Sequence, residues 1–105
     1  MDAVLEKLNE NLQVLYRRAV DADSALDQLS SQGKAKHKAI FPADAGFTVT
    51  SERFAPYIAE LSNDISDMQA MGAEADKTAA LSAVVKKMES LFVTLAQFKG
   101  VLAES

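Results

Sequence analysis

The 105-residue sequence predicts an all-α protein: an antiparallel three-helix bundle whose first and second helices are joined by a long linker that packs on the bundle. Three observations predict it. Two long stretches carry apolar residues at alternating steps of three and four, a helical and not a strand period. A shorter stretch between them has the same spacing. The segment that separates the first stretch from the second is about twenty residues long, well beyond the two to eight of most helix–helix links.

The first helix is expected at about 3–30. Leu5, Leu8, Leu12, Leu15, Ala19, Ala22, Leu26 and Leu29 form an unbroken seam, and no Gly or Pro occurs before Gly33. Ala19 and Ala22 narrow the seam, so a bulky neighbour must fill the space beside them. The second helix is expected at about 51–71, on Phe54, Ile58, Leu61, Ile65 and Met68. Thr50 or Ser51 is the candidate N-cap, and Gly72 the candidate left-handed C-cap. Pro56 leaves its start open, because proline is tolerated only in a first turn or at a kink. The third helix is expected at about 76–103, capped by Asp76, with a seam from Leu81 to Leu102 that Val85 and Phe92 widen. Lys86, Lys87 and Glu89 fall off that seam and are expected in solvent. The second helix is too short to cover both longer ones, so the linker or a second subunit must do so.

Composition narrows the function. The chain is 49% hydrophobic and 25% charged, a globular balance that fits one domain over residues 1–105. It has no cysteine, which excludes disulfides, thiolate metal sites and cysteine nucleophiles. No apolar run approaches a membrane span, and the start, with Asp2 and Glu6, has no signal-peptide core, so a cytoplasmic protein without membrane contact is expected. The net charge of -4 argues against a general nucleic-acid binder. That charge is uneven. Residues 31–41 hold three lysines and no acid, whereas 60–76 hold five acids and neither Lys nor Arg.

No phosphate loop, dinucleotide fingerprint or nucleophile elbow occurs, and no nucleophile–base–orienter set can be assembled. No enzyme, cofactor or metal site is therefore expected. His37 is the only histidine; it lies between Gly33 and Pro42, a loop setting and not the mid-helix setting of a phosphotransfer histidine. Glu60, Asp64 and Asp67 share one helical face, which reads as solvated, with a dock for a basic partner as the alternative. Arg17 and Arg18 can grip an anion, or one of them can pair with Asp21 along the helix. Tyr16 and Tyr57 read as structural.

The linker offers the most specific candidate site. Lys34, Lys36 and Lys38 form a basic cluster beside Ile40, Phe41, Phe47 and Val49. Phe41 and Phe47 are expected to pack over the open end of the bundle, with Pro42 and Gly46 shaping the turn between them. One reading of the aromatics is satellite core; the functional alternative is a dock for an acidic, apolar partner segment.

The order of these features resembles the N-terminal helical domain of the primosomal replication protein C family. The matching residues are Ile40-Phe41 and the run Phe54-Ala55-Pro56-Tyr57-Ile58-Ala59-Glu60-Leu61, between leucine-rich helices. The resemblance implies a non-enzymatic role in DNA replication restart. Such proteins contact the acidic tail of single-stranded-DNA-binding protein and help reload the replicative helicase. It places Lys34, Lys36, Lys38 and Arg53 against that tail or a DNA backbone, and Phe41, Arg17 and Arg18 complete the candidate partner-binding set. Single-stranded DNA would be a second, weaker partner. That family is basic, whereas this chain is acidic. The alternative is a structural or regulatory helical module that binds other helices, including a second copy of itself as a homodimer.

Overall fold

The computed structural model describes residues 2–33, 39–42, 44–71 and 77–104. Three helices form: α1 (Asp2–Ser31), α2 (Ala55–Ala70) and α3 (Thr78–Glu104). No strand occurs among the described residues. All three helix pairs pack against one another.

The contacts set the direction of each helix. Asp23 and Asp27, late in α1, hold Arg53, Phe54 and Ala55 at the start of α2, so α1 and α2 are antiparallel. Phe54 meets Phe98, late in α3, at a ring-centroid distance of 5.7 Å, so α2 and α3 are also antiparallel. Both being antiparallel to α2, α1 and α3 run parallel, and Arg18 of α1 lies over the Phe92 ring of α3 midway along them. The result is an up–down–up rod of 52 × 24 × 17 Å.

The seams form the core. Leu8, Leu15, Ala19 and Ala22 of α1 are buried against Ile58, Leu61, Ile65 and Met68 of α2 and Val84, Met88, Leu91 and Leu95 of α3. Phe54 is buried at the level where the α1 seam narrows, next to the Ala22–Asp23 turn. Val85 departs from expectation. It is exposed, because the third layer needed to cover so wide a stripe is absent on that side.

The start of α2 resolves the choice that Pro56 left open, and its cap differs from expectation. The helix begins at Ala55, which puts Pro56 in the first turn, where its missing N–H costs nothing. Phe54 occupies the N-cap position and supplies no side-chain cap. Neither Thr50 nor Ser51 caps the helix. The cap comes instead from α1: Asp23 accepts from the N–H groups of Phe54 at 2.6 Å and Ala55 at 2.9 Å. A carboxylate at a helix N-terminus satisfies orphan donors and faces the positive end of the helix dipole. Asp23→Ala is expected to cost about 1 kcal/mol, and Asp23→Asn less. Urea midpoints of the two variants check this, with faster amide exchange at Ala55 in the alanine form. α2 ends at Ala70 with Met71 in extended conformation as its C-cap. The expected caps Gly72 and Asp76 lie outside the described residues.

Residues 40–51 form a closed loop. The Ile40 N–H donates to the Ser51 carbonyl at 2.9 Å, tying the two ends together. Gly46, at φ +99°, takes the left-handed backbone that lets the loop turn, and the Ala45 N–H bonds the Pro42 carbonyl just before it. The loop packs on the bundle as expected, but along the flank of α2 and α3 and not over the open end. Tyr57 and Glu60, in the first two turns of α2, draw it there.

Candidate functional site

The flank on which the loop lies is built around two buried polar groups. Phe41 and Phe47 stack on each other at 4.8 Å and meet the Tyr57 ring edge-on, each at 4.9 Å. Tilted and edge-on contacts suit the ring quadrupoles. The fully buried Tyr57 hydroxyl accepts from the Ser51 N–H at 2.9 Å and donates to the Ser51 carbonyl at 3.2 Å, with the Phe41 N–H at 3.4 Å. One phenol thus closes both ends of the loop.

Glu60 holds the middle. Its carboxylate accepts from the Thr48 N–H at 2.8 Å, the Thr48 hydroxyl at 2.5 Å and the Val49 N–H at 2.9 Å. Lys87 reaches across from α3, with Nζ 2.8 Å from Glu60 and 2.5 Å from Asp64. Glu60 is only 8% exposed, so burial alone would push its carboxyl up. The Lys87 ammonium and the Thr48 and Val49 donors outweigh that and hold it at about 2. Burial pulls Lys87 down in turn, but the Asp64 and Glu60 carboxylates leave it above its ordinary value. Two expectations are corrected here. Glu60 is not part of a solvated acidic face, and Lys87 is not in solvent. The loop and α3 meet at this point, which buries Glu60 and leaves the Lys87 side chain half-buried. Asp67, Lys86 and Glu89 are exposed, as their positions suggest.

This flank is filled and internally satisfied. No buried side-chain polar atom among the described residues lacks a partner. It works as a strut, and Phe41 belongs to it: the side chain is buried and not displayed for a partner. Arg53 is occupied as well, its Nε donating to Asp27 at 2.8 Å. Arg18 lies 5.6 Å from the Phe92 ring centroid, and among the described residues neither it nor Arg17 pairs with Asp21. Lys34, Lys36, His37 and Lys38 lie outside the described residues.

The open concavity is on the other side of α2. A groove of about 440 Å³ runs between α1 and α2. Leu12, Ala19 and Val20 of α1 face Ala55, Ile58 and Ala59 of α2 across it. Gln13, Tyr16, Arg17 and Ser62 supply its polar groups, and among the described residues Arg17 is its only charged lining residue. The small side chains of Ala19, Ala55 and Ala59 leave the space open. Tyr16 and Val20 line it while 61% and 51% exposed, so they add apolar surface that a docked segment could cover. The sequence signal was present but faint: Tyr16 and Val20 lie four apart, off the α1 seam, as Ala55 and Ala59 do on α2.

Among the described residues no cluster of three or more histidines and acids converges as a metal site, and no helix is long and apolar enough to cross a membrane. No family model, curated protein or solved structure matches the chain.

Proposed function

We propose that this protein is a non-enzymatic adaptor that binds an acidic, apolar protein segment in the α1–α2 groove. One observation carries the reading: an apolar concavity whose single charged lining residue among those described is the cation Arg17. Apolar walls reward burial of apolar side chains, and a lone guanidinium at the mouth favours carboxylates. The resemblance to primosomal replication protein C supports the same class of partner, the acidic tail of single-stranded-DNA-binding protein at a stalled fork. Lys34, Lys36 and Lys38 add a positive stretch to the chain, suited to steering such a tail and to weaker contact with single-stranded DNA. The net charge of -4 opposes DNA, which binds through its charge alone, more than an acidic, apolar tail, whose apolar side chains the groove can bury.

The test is a titration of the labelled acidic tail peptide of single-stranded-DNA-binding protein. Arg17→Glu should weaken binding at least tenfold, about 1.4 kcal/mol, within the range for a hydrogen bond to a charged group. Lys86→Glu, an exposed change on α3, should have little effect. Equal binding by the Arg17 variant and the unaltered chain removes the groove from the reading, and no binding by either removes the adaptor.

A further inference from the structure

The groove also constrains the shape of what fills it. Both walls are α-helix, Leu12–Val20 on one side and Ala55–Ser62 on the other. Their backbone N–H and C=O groups are already engaged within the helices, apart from the first turn of α2, where Asp23 takes the N–H of Ala55. A segment docked as an extended strand would find no sheet edge here. Its inward-facing peptide groups would lose water with only the side chains of Gln13, Tyr16, Arg17 and Ser62 to partner them, and each group left unpaired would cost about 1–3 kcal/mol. A helix satisfies its own backbone and presents only side chains to the walls.

The dimensions agree. Each wall is about two turns long, roughly 11–12 Å at 1.5 Å per residue. The α2 wall is low, made by Ala55, Ala59 and Ser62, whereas Tyr16 and Val20 stand tall on the α1 wall. A neighbouring helix can come close over the small residues and seat its apolar side chains against the tall ones, at the usual 8–10 Å or so between axes. Arg17 lies one residue from Tyr16 and three from Val20, so it marks where an acid flanking the apolar stripe would fall.

Resting on the adaptor reading above, we infer that the partner segment binds as an acidic amphipathic α-helix of two to three turns, the fourth helix of the bundle. Two synthetic peptides of identical composition, rich in Leu and Glu, test it on the full chain. In one the leucines recur at three and four, and in the other they alternate with polar residues. The helical-period peptide should bind at least tenfold more tightly, lose that advantage with Arg17→Glu or with a central proline, and show helical carbon chemical shifts when bound. Equal or tighter binding of the alternating peptide, or extended-type shifts in the bound helical-period peptide, overturns the inference. If the acidic tail peptide binds the groove while the helical-period peptide does not, the helix is wrong and the adaptor reading stands. If no peptide binds, both fall.

Discussion

Tyr57→Ala is expected to destabilise the protein by about 4 kcal/mol, the range for deleting a large buried aromatic side chain. The phenol ring is fully buried and carries edge-on contacts to both Phe41 and Phe47. Its loss would open a cavity under the loop and strip the Ser51 N–H of its acceptor. A domain of this size has about 5–15 kcal/mol in total, so the variant should sit close to unfolding at room temperature. Tyr57→Phe separates the two contributions. It keeps the ring and removes only the hydroxyl, for about 1–2 kcal/mol. Urea unfolding of both variants checks the pair. A loss under 1 kcal/mol for Tyr57→Ala would mean that the loop does not rest on this ring.

Glu60→Ala is expected to cost about 3 kcal/mol, because one carboxylate leaves and several donors remain. The Thr48 and Val49 N–H groups lose their acceptor, and Lys87 keeps only Asp64. Glu60→Gln keeps the shape but cannot neutralise the ammonium, so it should also destabilise. Acid distinguishes the charge from the shape. The carboxyl sits at about 2 in the folded chain against 4.5 for the free group. A depressed carboxyl contributes stability that is complete above the unfolded value and is lost as pH falls through the folded one. The stability gap between the unaltered chain and Glu60→Gln should therefore be full above about pH 5 and shrink as pH falls toward 2. A gap independent of pH would show that the carboxylate's charge does not hold the loop.

These two residues also mark the limit of what local patterns in the chain reveal. The seams of α1 and α3 were legible because a helix repeats every 3.6 residues, and burial of Leu8, Leu15, Leu91 and Leu95 follows from spacing alone. The cap of α2 was not legible. Thr50 and Ser51 are the nearest suitable side chains, but Asp23, 31 residues away from Phe54, reaches it first through space. Lys87 looked solvated because its own helix places it off the seam. It is half-buried by a loop and a carboxylate contributed from elsewhere in the chain. Phe41 was legible as apolar weight in a linker, but its partner Tyr57 could be named only once the loop closed.

The candidate site shows the same division. Arg17 stands out in the sequence as one of a pair of arginines. Which of the pair faces an open concavity depends on where α2 lies. Arg18 turns to Phe92 of α3, and Arg17 is left beside Tyr16, Val20 and the alanines of α2. The groove exists because α2 presents Ala55 and Ala59 there, small residues that carry no signal in a hydropathy pattern. Filling it should therefore block binding without unfolding the bundle.

Titrating the isotope-labelled full chain with the acidic tail peptide, and following the amide resonances of the chain, reads binding in that groove residue by residue. Saturable shifts are expected at Tyr16, Arg17, Val20 and Ala59, with the loop amides of Thr48 and Val49 left in place. Shifts confined to Lys34–Lys38 or to residues 40–51, with the groove unmoved, would contradict binding there.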